Sequence, residues 1–458
     1  MRDPSLLMRP PGPPPLSLKT PIAVLKYLKS ISDIAQLVRR RFEEYGDIYY
    51  ARLGKSEIYV IRRPEHVRQV FQVQGSRYGK ATQGTSARLL REFLGDGLLN
   101  SNGDFWKTQR RMINPAFRKD MLTSHAPMMV EATRAMLDRW SAGEVRDVSD
   151  EMMGLTLSIA TKAFFDHDIE GIRTVAEAMD TIRDGFTSPS LRLPPWVPSP
   201  ARRRVERALK DMDDLIYGLI DARTRELASG VTEDRQDLLS VMVRLTGEDA
   251  GSPMSRKLLR DELMTLMVAG HETTSHALTW TFYLLGEHPE VESKLMEELR
   301  EVLGGRAPTV DDLKRLPWLE AVLKESMRLY PPAYVVSRVA EEDAELDEYV
   351  VPAGAEVIVW LYWTHRDPRW WPEPLAFRPE RFSAEHESEI PKGAYVPFAA
   401  GTRSCIGKRF AMMEAQLILA AVLQRFQLER VPGHPVVPRR AVTMSPKHGM
   451  KMRLIPRA

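Results

Sequence analysis

Cys405 is the single cysteine in 458 residues. It lies in the run Phe398-Ala-Ala-Gly-Thr-Arg-Ser-Cys405-Ile-Gly407. A glycine-bearing loop thus delivers the one thiol to the start of a helix. Unpaired amide N–H groups and the positive dipole end lie there, and both favour thiolate over thiol. A thiolate so placed is either a nucleophile or a metal ligand. A nucleophilic cysteine would want a histidine base, and the sequence leaves that choice open. The competing reading is a buried cysteine acting as a small hydrophobe. Two glycines bracketing the thiol, with Arg403 two residues before it, weigh against it.

A second run, Ala269-Gly270-His271-Glu272-Thr273-Thr274, falls midway along a long helical pattern. Glycine costs about 1 kcal/mol in a helix interior, and threonine pairs can bond back to carbonyls and bend a helix. An acid beside a hydroxyl at such a local distortion suits a proton relay into a cavity. The alternative is a kinked core helix with polar surface residues. A zinc-protease reading fails, because His271 and His276 are spaced i, i+5. That places the imidazoles roughly 140° apart, too far round to share an ion as i, i+4 would. Glu325 and Arg328 share a helix face at i, i+3 and can pair. Phe377-Arg-Pro-Glu-Arg381-Phe382 is a proline-broken loop with a further guanidinium. Taken singly, these last two are weak, and a solvated pair is the default.

The elements that must position these residues are mostly helical. The 33-residue pattern from Ser255 to Glu287 would run roughly 50 Å. Its apolar residues (Leu263, Leu266, Met267, Ala269, Leu278, Trp280) occupy more than one face, so it should be buried centrally. Further helices are expected at 106–117, 128–140, 152–165, 201–227, 290–303, 318–330 and 407–426. Asp47 to Leu53 and Glu57 to Ile61 flank Gly54-Lys55 as a hairpin. Glu356 to Tyr362 and the C-terminal tail also look strand-like. The expected fold class is mainly α with a small β part.

Composition narrows the function classes. Lys plus Arg number 65 against 62 Asp plus Glu, a net +3, too weak to argue for nucleic acid. One cysteine excludes an intrachain disulfide, a Cys₄ zinc site and a cysteine-only iron–sulfur cluster. A lone thiol in a large protein points to a reducing, cytoplasmic setting. Leu6-Leu7-Met8 is cut off by Arg9-Pro10-Pro11, so no secretory signal forms. No run approaches the ~18 apolar residues of a membrane span. A soluble chain is expected, with residues 1–21 as an extended proline-rich lead-in that has no fold of its own and 22–458 as one domain. Ser188 to Pro200 is read as a long loop within that domain.

Taken together and in order, the four runs resemble the cytochrome P-450 family of haem-thiolate monooxygenases. F-x-x-G-x-R-x-C-x-G is complete at Phe398, Gly401, Arg403, Cys405 and Gly407. A-G-x-E-T is met at Ala269 to Thr273, E-x-x-R at Glu325 and Arg328, and P-E-R-F at Pro379 to Phe382. Trp106-Lys-Thr-Gln-Arg110 fits the family's W-x-x-x-R helix. The wording A-G-H-E-T-T-S is most like the fatty-acid-hydroxylase branch. The resemblance implies a single-domain P-450 fold with a long central helix over haem b (iron protoporphyrin IX).

By the same resemblance, Cys405 would be the axial iron ligand, whose electron donation favours O–O cleavage. Phe398 would shield the sulfur, and Gly401 and Gly407 would let the backbone approach sulfur and haem. Trp106, Arg110 and Arg403 would bind the haem propionates, with Arg338 as a fourth donor and Ala269 lying against the haem. Glu325, Arg328 and Arg381 would form a structural ion network. Glu272 and Thr273 would guide protons to bound O₂. Walls for a hydrophobic substrate would come from the loop around Ala87 to Leu99, Ala269, Pro332 to Val336 and Thr443-Met444, with Ser188 to Pro200 as a lid.

Fatty acids or other long apolar molecules come first as substrates, with terpenoids, steroids and polyketides open. Neither the N-terminal anchor of microsomal members nor a fused flavin reductase is expected. Electrons, ultimately from NAD(P)H, would therefore arrive through a ferredoxin or flavodoxin with its reductase. Lys107, Arg111, Lys408 and Arg409 would offer that partner a basic face. A monomer is expected. A peroxide-driven or isomerising haem-thiolate enzyme would have no use for the relay, and a haem sensor without turnover would need neither relay nor lid.

Overall fold

The computed structural model describes residues 9–14, 33–54, 56–81, 85–166, 172–192, 199–230, 237–246 and 254–457. These pack as two compact units. The first holds the described residues before Thr85 together with Ala333–Ala376 and His386–Cys405. The second holds Thr85–Pro332, Phe377–Glu385 and Ile406–Ala458.

The first unit is built on a five-stranded sheet. Strands Ile48–Leu53 and Ser56–Ile61 form an antiparallel hairpin with Tyr50 opposite Tyr59. Gly54 turns the hairpin with φ +61°, a conformation glycine adopts without steric cost. Strand Glu356–Val359 pairs parallel with Ser56–Ile61, then comes Val336–Ala340, then the short Tyr78–Gly79. The expected strand from Glu356 to Tyr362 stops at Val359, and Leu361–Thr364 is a helical turn. There the β-branched run gives out, and the Thr364 hydroxyl bonds back to the carbonyl of Trp360 at 3.2 Å. Part of the proline-rich lead-in is pinned to this sheet. The amide of Tyr50 donates to the carbonyl of Pro11 at 2.9 Å, and Arg9 pairs with Glu57 at 3.2 Å.

The second unit is predominantly helical. Its axis is the helix Arg256–Glu287, capped by the Ser255 hydroxyl, which accepts from the amide of Leu258. It ends two residues before Pro289. Leu259, Leu263, Met267, Leu278 and Trp280 are all fully buried. Around it pack the helices Val148–Phe165, Pro200–Ala228, Pro317–Leu329 and Lys408–Arg425. The long helix is continuous through Gly270. A methyl on Gly270 would stand 3.1 Å from the Phe164 ring. The glycine therefore serves close approach to the Val148–Phe165 helix.

The expected wall loop at 87–99 is largely a helix, Thr85–Leu94, and only Gly95 onward is loop. Trp106 lies in Gly103–Ile113, with Asn114–Phe117 as a tighter 3₁₀ turn behind Pro115. Pro189–Arg192 is likewise a 3₁₀ turn. Residues 193–198 of the expected lid lie outside the described residues, as do 1–8 and 15–21 of the lead-in and 22–32 of the domain that follows it. A three-stranded antiparallel sheet orders Val145–Asp147, Lys451–Pro456 and Phe426–Arg430. Among the described residues, no helix is long and apolar enough to cross a membrane.

Candidate active site

In the first unit, the loop before Cys405 is held by its own backbone. The Cys405 amide donates to the carbonyl of Phe398 at 2.9 Å. Ala399 takes a left-handed φ of +54° and Gly401 one of +72°. A Cβ on Gly401 would stand 1.7 Å from the carbonyl oxygen of Phe71. Only glycine fits, and what it approaches is the Phe71 backbone. Cys405 is exposed, two residues ahead of Gly407, which caps the Lys408–Arg425 helix.

Three cations gather in the same unit. Arg338, on a central strand, is 3% exposed. Its guanidinium lies 4.8 Å from the Phe71 ring centroid and donates to the carbonyl of Ser337 at 2.9 Å. Burial, and then the charge of Arg403, push it down to about 10. Lys80 is pushed down to about 7 by burial first, then by Arg338 and Arg403. Like charges held together away from water create a demand for an anion. The two carboxylates of a porphyrin would meet it, and an exposed cysteine sulfur is the kind of donor that holds haem iron. The residues present fit the group. Lys80 carries no motif, and sequence reasoning missed it.

In the second unit, Arg110 lies over the Trp106 ring at 5.7 Å. The long helix, buried nearly throughout, opens one face: Ala269 is exposed, and Gly270 and Thr273 are partly so. The Thr273 hydroxyl bonds back to the carbonyl of Ala269 at 2.9 Å, and that of Thr274 to Gly270 at 3.2 Å. Glu272 points elsewhere and is 7% exposed. Its Oε1 accepts from the Thr443 hydroxyl at 2.8 Å and lies 3.6 Å from Nε2 of His276. Burial pushes this carboxyl up, but His276, Thr443 and Arg183 outweigh it and hold it below the usual range. A small cavity, with room for about one water, is lined by Asp180, Arg183, His271 and Glu272 among others. Neither Arg183 nor the Glu272–His276 pairing was anticipated, although the i, i+4 spacing of the latter is plain in the sequence.

Glu325, Arg328 and Arg381 come together, and the first two have no exposed surface. Lys107, Arg111, Lys408 and Arg409 are exposed, with Lys107 paired to Asp104 at 2.8 Å.

Comparison with known proteins agrees with this geometry. A family model described as Cytochrome P450 matches residues 10–452. Cyclooctatin synthase of Streptomyces melanosporofaciens is 34% identical over 406 residues, covering 88% of this chain and 87% of that protein. Cyclooctat-9-en-7-ol 5-monooxygenase of the same organism is 35% identical over 400 residues, 85% and 84% of the two chains. The solved structure of retinoic acid bound cyanobacterial CYP120A1 superposes with a TM-score of 0.85 at 25% identity, over 98% of this chain and 100% of that one. With a mostly helical fold shared along nearly its whole length, a lone thiol on its loop and a match that spans all four motifs, the chain belongs to the cytochrome P450 family of haem-iron monooxygenases.

Proposed function

We propose that this chain hydroxylates a large apolar substrate of the isoprenoid kind, using O₂ and electrons that come ultimately from NAD(P)H. The observation that carries the reading is that Ala269 and Thr273, one turn apart, open to one side in the middle of a helix whose neighbouring residues are mostly buried. A strip of small residues with one hydroxyl can face an apolar molecule and still offer a polar atom to the reacting oxygen. The names of the relatives turn the substrate class from straight-chain acids toward isoprenoids: one is a monooxygenase of cyclooctat-9-en-7-ol, and one structure holds retinoic acid.

Cys405 would hold the iron, and Trp106, Arg110, Arg338, Arg403 and Lys80 are the residues that would bind the porphyrin carboxylates. Bound haem supplies the dioxygen chemistry, in sum R–H + O₂ + two electrons + two protons → R–OH + H₂O. Arginine suits the carboxylates because its planar fork grips them two-pronged. Glu272, fed through the cavity beside Arg183, would pass protons toward the Thr273 hydroxyl. Thr273, its own O–H bonded to Ala269, keeps lone pairs free to accept and order that proton path. The exposed cations Lys107, Arg111, Lys408 and Arg409 support docking of an acidic ferredoxin or flavodoxin, which with its reductase would deliver the electrons.

The test is a spectral binding screen on the haem-loaded protein. Cyclic terpenoid alcohols should displace the iron-bound water at micromolar concentration and be converted to products one oxygen heavier. Fatty acids binding tighter and turning over faster would overturn the substrate class. Turnover with peroxide alone, as fast as with a reductase system, would overturn the electron route.

A further inference from the structure

Thr443, expected as substrate wall, turns its hydroxyl into the second unit. It stands just before the strand Met444–Pro446, which pairs with Pro438–Arg440. Its side chain is 7% exposed, and its Oγ1 lies 2.8 Å from Oε1 of Glu272. An ionised carboxylate only accepts, so the hydroxyl is the donor.

That donor is held in a fixed frame. The amide of Met444, the next residue, donates to the carbonyl of Pro332 at 2.9 Å, and the Met444 carbonyl accepts from Nε1 of Trp280 at 3.1 Å. Trp280 lies about two turns beyond Glu272 on the same long helix. It is fully buried and stacks on Tyr330 with ring centroids 4.1 Å apart. From the paired strand, Arg439 reaches Asp184 at 3.3 Å, beside Arg183 on the helix Ile172–Thr187. A β-branched side chain on such a frame has little rotameric freedom, whereas the Glu272 carboxylate ends a long rotatable stem.

The other groups that face Glu272 are His271 and His276 on its own helix, and Asp180 and Arg183, paired with each other, on Ile172–Thr187. Met153, from the helix Val148–Phe165, lines the same small cavity and carries no charge. Burial pushes the carboxyl up, and His276, Thr443 and Arg183 together outweigh it. Successive helix residues point about 100° apart. A carboxylate stationed at Thr443 is therefore turned away from Thr273, and proton delivery needs it to leave and return.

We propose that Thr443 is a positioning residue for proton delivery: its hydroxyl stations the Glu272 carboxylate beside the cavity and releases the carboxyl once that has taken up a proton. The reason is charge. A hydrogen bond to an ionised acceptor is about twice as strong as one between neutral groups, so protonation of Glu272 loosens the bond that holds it. The step balances. A hydronium ion reaching the cavity loses one O–H bond and remains as water, while an O–H bond forms on the carboxylate. The neutral carboxyl swings to Thr273, gives up its proton there and, ionised again, is drawn back to Thr443. The inference rests on the reading of Glu272 and Thr273 as the proton path.

The experiment is a double-mutant cycle on haem-loaded protein. Ferredoxin and its reductase supply electrons, a cyclic terpenoid alcohol taken from the binding screen is the substrate, and product and peroxide are read per electron pair. Thr443→Val keeps the shape and loses the donor. Proton-transfer groups contribute about 10²–10⁴-fold to rate, and for a residue that only positions one the loss of product per electron pair should be on the order of tenfold. Haem content and the carbon monoxide spectrum should stay as in the parent. Thr443→Ser, which keeps the hydroxyl, should recover most of the product. In the Glu272→Gln background no carboxylate remains to station, and Thr443→Val should cost nothing further. An equal loss in both backgrounds marks a packing role and overturns the proposal, as does parent-like coupling in Thr443→Val. Thr443→Ala serves should Thr443→Val fold poorly.

The crystal structure of Thr443→Val adds a readout free of turnover. The Glu272 carboxylate should leave its present place, and a carboxylate found unmoved overturns the proposal. Glu272→Gln alone separates the two levels. If it leaves coupling intact, the proton path fails and this inference with it. If it uncouples while Thr443→Val costs the same in both backgrounds, only the present inference fails.

Discussion

Arg328 grips both carboxylate oxygens of Glu325, Nε at 2.6 Å from one and Nη2 at 2.8 Å from the other, with both side chains wholly buried. The amide of Arg378 donates to the same carboxylate at 2.9 Å, and Arg381 stands 3.4 Å from it. This fixes the Pro317–Leu329 helix to the Pro379–Phe382 turn. Removing one partner of a buried, hydrogen-bonded pair leaves the other charge desolvated, which costs about 3–5 kcal/mol. Arg328→Ala should therefore melt well below the parent and purify with little haem. Arg328→Lys should rescue it poorly, since an ammonium cannot span both oxygens. Thermal unfolding together with haem-to-protein ratio checks this. Full haem occupancy at the parent melting temperature would refute the role.

The spacing of Glu325 and Arg328 made their pairing legible in the sequence; their burial was not, because that depends on which helices cover the face. The long helix was legible because Ser255 caps it, Pro289 follows it and its apolar residues cover several faces. The hairpin was legible from Gly54 between two β-branched and aromatic runs. The stretch around Ala87 to Leu99 was read as a wall loop from the resemblance alone, and most of it is the helix Thr85–Leu94. Lys80, Arg338 and Arg403 converge from three distant parts of the chain, and no local pattern reports convergence. His276 was weighed only against His271, at a spacing that fails for a metal, while its partner one turn back was Glu272.

Gly401 tests how tightly the thiol loop is built. Its φ of +72° disfavours any side chain, by about 1–2 kcal/mol, and a Cβ would fall 1.7 Å from the carbonyl oxygen of Phe71. The backbone must move to admit it, and Cys405 is four residues away on the same loop. Gly401→Ala should therefore lose the thiolate-type spectrum of the reduced carbon monoxide complex before it loses the helical fold. Absorbance and far-ultraviolet circular dichroism, measured together, separate the two losses. A variant with the parent spectrum would show that the loop tolerates displacement.

Glu262 sets a pH dependence of stability. It is fully buried on the long helix. Its Oε2 accepts from the amide of Leu98 at 2.9 Å, and its Oε1 has no hydrogen-bond partner among the described residues. Burial first, helped by the neighbouring charge of Asp261 and opposed by the Leu98 amide, pushes its carboxyl up to about 8. The folded chain therefore keeps a proton that the unfolded chain releases near pH 4.5. Its contribution is fully present below that value and is lost as pH rises toward 8. Glu262→Gln, neutral throughout, should be more stable than the parent at pH 9 by a few kcal/mol, on the order of 3–5, with little difference at pH 5. Glu414 is pushed up in the same direction by burial, against the opposing effect of the Thr274 hydroxyl, and Glu414→Gln should add a shift of the same sign. Denaturant unfolding at the two pH values decides; equal pH slopes in parent and variants would count against both carboxyls.

Thr273→Ala asks whether the open strip of the long helix handles protons or merely lines a wall. The substitution should not harm the fold. Thr273 is only partly buried, its hydroxyl bonds the helix's own Ala269 carbonyl and no other group among the described residues, and alanine is the better helix former by a few tenths of a kcal/mol. Loss of function in this variant is therefore not loss of structure. What would disappear, on the proposed reading, is the hydroxyl oxygen that accepts and orders a proton, while Glu272 keeps its place against Thr443. Electron donor should be consumed at nearly the parent rate, with most electrons appearing as hydrogen peroxide and product falling severalfold. Thr273→Ser, which keeps the hydroxyl, should restore most of the product. Parallel measurement of donor consumed, peroxide and product closes the balance. Parent-like coupling in Thr273→Ala would reduce the residue to wall and leave Glu272 without an outlet on this face.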